Sequence, residues 1–199
     1  MNGRPGERRL QILQTLAHML ESPSGEKITT ASLAARLDVS EAALYRHFAS
    51  KAQMYEGLIE FIETTLFGLI NKITVEEANA AKQAESIVSL LLGFAKKNPG
   101  MTRVLIGDVL VNEDARLQAR INQLIDRVEA TLKQSLRFAS SEQQIDPPTD
   151  PVLLANAVMS FVLGRWHQFA KSGFKRDPLE NWPEVGRMLL RCCAKSLTY

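Results

Sequence analysis

Apolar residues recur at steps of three and four along almost the whole chain, and long β-branched alternations are missing. That periodicity reads as helix throughout. The first stripe, Leu10, Leu13, Leu16, Ala17 and Leu20, predicts a helix from about Glu7 to Leu20, broken by SPSG at 22–25. Thr30 reads as the N-cap of a short helix, ASLAARL, with Leu33, Ala34 and Leu37 facing inward. Asp38-Val39 makes a tight turn. Ser40 caps a second short helix, EAALYRHF, whose Leu44 and Phe48 lie one turn apart and buried. Ser50 caps a long helix from about Lys51 to Ile73. Further helices are expected from about Val75 to Lys97, ending at NPG (98–100), from about Thr102 to Val111, from about Asp114 to Phe138, and over about 151–171 and 178–197. The clearest loop is 140–151, polar and carrying Pro147, Pro148 and Pro151. No internal repeat interrupts this order.

Length and composition set the outer bounds. The chain has 199 residues with 45% hydrophobic content, enough for one large or two small domains with a sizeable core. No run of about 18 apolar residues exists, so no membrane span is expected. The N-terminus carries charges but no apolar stretch of the secretory kind, and the two cysteines, Cys192 and Cys193, are adjacent. The expected setting is therefore reducing and cytoplasmic. A net charge of +2 does not announce nucleic-acid binding, so that case rests on local geometry.

The short helix, turn, short helix pattern from Thr30 to Phe48 is a helix-turn-helix candidate. Leu33, Ala34, Leu37, Val39, Leu44 and Phe48 can form one small core, which leaves Glu41, Ala42, Tyr45 and Arg46 outward. Ala42 and Ala43 let the second helix approach a surface, and such a helix fits a major groove about 12 Å wide. The polar residues sort by task. Thr29 and Thr30 stand at a helix N-terminus suited to a phosphate. Tyr45 and His47 can donate to phosphate oxygens, Arg46 can meet a phosphate or a guanine edge, and Lys51 can reach the backbone. Ser40, Ala42 and Ala43 lie on the leading turn, where small side chains touch a thymine methyl or let the backbone come close. Phosphate contacts position and base contacts specify. The same spacing also occurs in helical bundles that never touch DNA, so a purely structural interaction module stays open at this point.

Other chemistry is thinner. His18, His47 and His167 lack metal-ligand spacing, and neither a GxGxxG nor a P-loop sequence is present, so no enzyme, metal or cofactor is expected. Cys192 and Cys193 read as buried thiols on a C-terminal helix rather than a redox pair. The segment ANAVMSFVLGRWHQF carries apolar and aromatic residues on more than one face, so it has more than one thing to pack against. Either the interior of the chain or a symmetric homodimer interface can supply that, and the dimer is the favoured reading. Trp166 with Arg165 reads as interface, or as the lining of a small-ligand pocket.

The stretch TTASLAARLDVSEAALYRHFASKAQMY resembles the N-terminal domain of the TetR-type bacterial regulators. LYRHF at 44–48 and SK at 50–51 match the hallmark of that family, and the likeness covers about residues 7–60. Asp38 departs from the usual glycine of the turn, but Asp tolerates left-handed backbone. The resemblance implies an all-α, TetR-like fold. A homeodomain-like helix-turn-helix DNA-binding domain would occupy residues 1–56 and a helical dimerisation and partner-binding region residues 57–199. LIEFIE at 58–63, LLLGFAKKNPGMTRVLIG at 90–107 and RLQARINQLIDRVEATLKQ at 116–134 are similar to one subgroup, the SlmA nucleoid occlusion factors. That likeness implies a cytoplasmic, nucleoid-associated homodimer on palindromic double-stranded DNA, binding the C-terminal tail of the division protein FtsZ, with no small-molecule ligand required. The positions matching the partner groove are Phe61, Leu90, Gly93, Lys97 and Asn98, while Leu69 stands where a relative carries a basic residue. A ligand-responsive TetR-type repressor is the alternative.

Overall fold

The computed structural model describes residues 5–22, 28–145 and 150–190. Among them are nine helices: α1 Pro5–Met19, α2 Thr30–Arg36, α3 Glu41–Tyr45, α4 Lys51–Glu76, α5 Ala80–Lys97, α6 Pro99–Leu105, α7 Ala115–Ser141, α8 Pro151–Lys171 and α9 Trp182–Leu190. The all-helical reading holds. No helix of the described residues is long and apolar enough to cross a membrane. Cys192, Cys193, Pro147 and Pro148 lie outside the described residues.

Two compact units form, one from Met1–Thr64 with Asn98–Asn122, the other from Thr65–Lys97 with Gln123–Tyr199. In the first, α1 packs on α2 and on α6, and α2 on α3. Its core includes Ile12, Leu16, Leu33, Leu44, Phe48, Met54 and Leu58. Leu10 does not join that core. It is 42% exposed, at the edge of a stripe centred on Leu13, Leu16 and Leu20, with Ile12 closing the inner side. Gly100 lets α6 cross α1: a Cβ there would stand 1.9 Å from the Ala17 carbonyl oxygen. Arg120 on α7 donates to Glu63 on α4 at 2.6 Å.

In the second unit α5 packs on α8 and α9. Ile87, Val88, Leu91 and Ala95 of α5 and Val158, Val162 and Trp166 of α8 are all fully buried. The Trp166 indole donates to the Leu91 carbonyl at 3.1 Å. Trp182 donates to Ser89 Oγ at 2.7 Å and stacks on Phe161. Trp166 is therefore core, neither interface nor pocket lining. Arg165 lies over the Phe161 ring and donates to the Glu180 carbonyl. The outward side of α8 carries Leu153, Ala157, Ser160, Gly164 and His167 instead.

Several helix ends differ from expectation for local reasons. Thr29, not Thr30, caps α2: its backbone is extended and its hydroxyl accepts from Ser32 N at 3.0 Å. Ser32 Oγ accepts from Thr29 N in return, a capping box that only the Thr29 register offers. The chain leaves α3 at Tyr45 rather than Phe48 because His47 N and Phe48 N both donate to Leu44 O. Leu37 ends α2 half-buried. α6 starts at Pro99, whose missing N–H costs nothing at the first helical position. It stops at Leu105, before left-handed turns at Gly107 and Asn112. Val75 belongs to the end of α4 and is 85% exposed. A left-handed Asn181 delays α9 to Trp182. Asp38 takes the left-handed φ of 54° that the turn demands.

Candidate nucleic-acid interface and partner-binding residues

The five-residue α3 has too few hydrogen bonds to hold itself. Its pose comes from outside. Leu44 and Phe48 are buried beneath it, at 1% exposure each. Ser40 Oγ accepts from Ala43 N at 3.3 Å and so fixes the leading turn. Ala42, Tyr45 and Arg46 are exposed and Ala43 and His47 half-buried, so the helix presents a small, polar outer surface.

The polar side chains on that surface are organised. Thr30 Oγ1 donates to Glu41 at 2.6 Å and lies 3.5 Å from the Tyr45 hydroxyl, which donates to it. This short chain ties the start of α2 to both ends of α3. Thr29 spends its hydroxyl on the cap, accepting from Ser32 N. Ser50 Oγ accepts from Gln53 N at 3.2 Å and caps α4 as expected.

Lys51 is not extended toward solvent. Its ammonium pairs with Glu113 at 2.5 Å and lies over the Tyr55 ring. Burial, then the Glu113 charge, pushes the Tyr55 hydroxyl up to about 12, so it stays neutral. Arg103 pairs with Asp108 at 3.2 Å, and these residues line one polar cavity of about 210 Å³. Sequence reasoning missed Glu113. It lies 62 residues from Lys51, and no local pattern announces such a pair.

Among the positions matched to the partner groove, Phe61 and Asn98 fall in the first unit and Leu90, Gly93 and Lys97 in the second. Phe61 is 39% exposed. Leu90 is half-buried and Lys97 exposed. Nothing lies within 4 Å of a Cβ built on Gly93. Asn98 precedes α6, and its carbonyl accepts from Thr102 N at 2.9 Å. Leu69 is exposed.

Residues 24–58 match the tetR family of bacterial regulatory proteins, and residues 79–193 match the SlmA-like, tetracyclin repressor-like C-terminal domain. The chain is 50% identical over 189 residues to a nucleoid occlusion factor SlmA of Marinomonas sp., covering 95% of this chain and 96% of that one. The chain belongs to the SlmA family of nucleoid occlusion factors. An SlmA of Alteromonas mediterranea is 52% identical over 177 residues, covering 89% and 91% of the two chains. The SlmA fold is also that of the TetR family regulator PfmR from Thermus thermophilus. That structure superposes with a TM-score of 0.72 at 21% identity, covering 92% of this chain and 95% of the other. The all-helical fold, the helix-turn-helix and the SlmA likeness expected from the sequence are thus in place.

Proposed function

We propose that this protein acts as a homodimer on palindromic DNA and, while bound, engages the C-terminal tail of FtsZ, so that the division ring does not assemble over the chromosome. The observation that carries the reading is near-full-length identity of about one half with nucleoid occlusion factors, through the C-terminal region as well as the helix-turn-helix. The protein is a binding protein rather than an enzyme, working in the cytoplasm at the nucleoid. Residues 1–56 serve DNA binding, and 57–199 serve dimerisation and partner binding. The outward α8 face, with small residues at Ala157, Ser160 and Gly164, lets a second copy approach closely. Two copies of α3 then meet successive major grooves about 34–36 Å apart.

In this assignment Thr29, Thr30, Tyr45, His47 and Lys51 meet the phosphate backbone. Ser40, Ala42 and Ala43 lie toward the bases, with Arg46 at either. Replacing Arg46 or Lys51 with alanine is expected to weaken DNA binding and to lower the salt slope by about one unit per lost phosphate contact per protomer. Glu113→Gln frees Lys51 before DNA arrives and is expected to strengthen binding. Affinity measured across a salt series checks all three, and an unchanged slope in Lys51→Ala removes Lys51 from the phosphate set.

Phe61 and Leu90 supply apolar anchor area, Gly93 gives room for a peptide backbone, Lys97 contributes a positive charge, and Asn98 completes the set. A labelled FtsZ tail peptide, followed by fluorescence anisotropy with and without selected palindromic DNA, tests the reading. Saturable binding is expected, weakened at least about ten-fold by Phe61→Ala or Lys97→Glu, as for an anchor residue. No binding in either condition, with DNA binding intact, would return the protein to the ligand-responsive repressors. That alternative has lost its proposed lining, because Trp166 fills the interior of the second unit.

A further inference from the structure

The recognition helix is gripped at its leading end by the Thr30–Glu41 hydrogen bond. Just beyond its trailing end the chain is also held from α1. Arg9, on α1, donates from Nη1 to the His47 carbonyl oxygen at 2.8 Å. The same guanidinium lies over the face of the Phe48 ring, 4.1 Å from its centroid. One planar group thus grips the two consecutive residues that follow Arg46, the C-cap of α3. The peptide it holds has already turned away from the helix, since His47 N and Phe48 N share the Leu44 carbonyl.

We propose that Arg9 is a positioning residue for sequence reading: by clamping the His47–Phe48 peptide to α1 it sets the pose of the recognition helix. The chemistry needs arginine. Only a planar guanidinium can stack on a ring and send a fixed N–H sideways to a carbonyl at once. A lysine keeps the charge but offers a flexible point donor. The anchor beneath is stiff. Phe48 is 1% exposed, and a Cβ built on Gly57 would lie 3.1 Å from its ring. The clamp therefore fixes α3 to a packed surface rather than to another mobile side chain. Small shifts of α3 move Ser40, Ala42, Ala43 and Arg46 together relative to base edges. Non-specific binding, which depends on phosphate charge, is far less sensitive to such a shift.

The role rests on the DNA-reading assignment of α3, and one experiment separates the two. Full-length wild type, Arg9→Ala and Arg9→Lys are titrated against the palindrome selected by the wild type and against a scrambled duplex, across a salt series. Thermal melts run beside them to confirm that the variants fold. Arg9→Ala is expected to lose about ten-fold on the palindrome and less than about two-fold on the scrambled duplex, with the salt slope unchanged. Arg9→Lys should follow Arg9→Ala. Equal losses on both duplexes with a lower slope would make Arg9 a phosphate contact and overturn the proposal. Restoration by lysine, or an unaltered ratio of the two affinities, would overturn it as well. A wild type that binds both duplexes equally would instead sink the DNA-reading assignment, and this role with it.

Discussion

Trp166→Ala is expected to destabilise the protein by about 3–5 kcal/mol, the range for emptying a large aromatic site in a core. Trp166 is fully buried, with the largest side chain among the completely buried residues of the described chain. Its indole N–H also holds the Leu91 carbonyl, so the variant loses a hydrogen bond together with its packing. The gap would open between α8 and α5, two packed helices that cannot collapse far into it. Chemical denaturation followed by circular dichroism should show the midpoint fall while the slope is kept. Trp166→Phe should recover part of the loss, because it restores ring volume but not the donor. An unfolding free energy within about 1 kcal/mol of wild type for the alanine variant would mean that the ring is not core.

Gly100→Ala is the second large effect. A methyl group at this position would sit 1.9 Å from the Ala17 carbonyl oxygen and 3.1 Å from Leu20 Cβ. The first of these is backbone and cannot rotate away, so α1 and α6 must separate. Overpacking of this kind costs about 1–3 kcal/mol or more. The loss should concentrate in the first unit: hydrogen exchange in α1 and α6 should accelerate, while α8 exchanges as before. Because α1 carries Arg9, binding to the palindrome should weaken as well. Unchanged exchange in α1 would show that the two helices do not meet at Gly100.

Local pattern read from the sequence was sound, and distant pairing was not legible. Asp38 as a left-handed turn residue, Ser40 and Ser50 as caps, and Leu44 with Phe48 as an inward pair all follow from spacing, and the structure has them. The Thr29–Ser32 box is equally local. The cap itself reads one residue late, at Thr30, because two adjacent threonines compete for the same role and only the reciprocal serine decides between them. The Trp166 reading failed for another reason. A tryptophan on a helix with two apolar sides gives no sign of which side faces the interior, and that was settled by α5, some 75 positions earlier. Arg9 with His47, and Lys51 with Glu113, are likewise products of tertiary folding, 38 and 62 residues apart.

The first unit is assembled from two pieces of chain, and this bears on the order of events at the ribosome. Residues up to Thr64 emerge early, but their partners Gly100, Arg103 and Glu113 arrive only with the second piece, which closes at Asn122. At about 5–20 residues per second, a nascent chain spends roughly 3 to 12 seconds between those two points with α1 lacking its α6 partner and Lys51 unpaired. A translation product halted in that interval already carries the helix-turn-helix with its own core, the Arg9 clamp and the Thr30–Glu41 bond, and lacks the α6 packing and the Glu113 pair. What the second piece adds is therefore a brace on a motif that has its own core, and the motif is at its weakest during this interval.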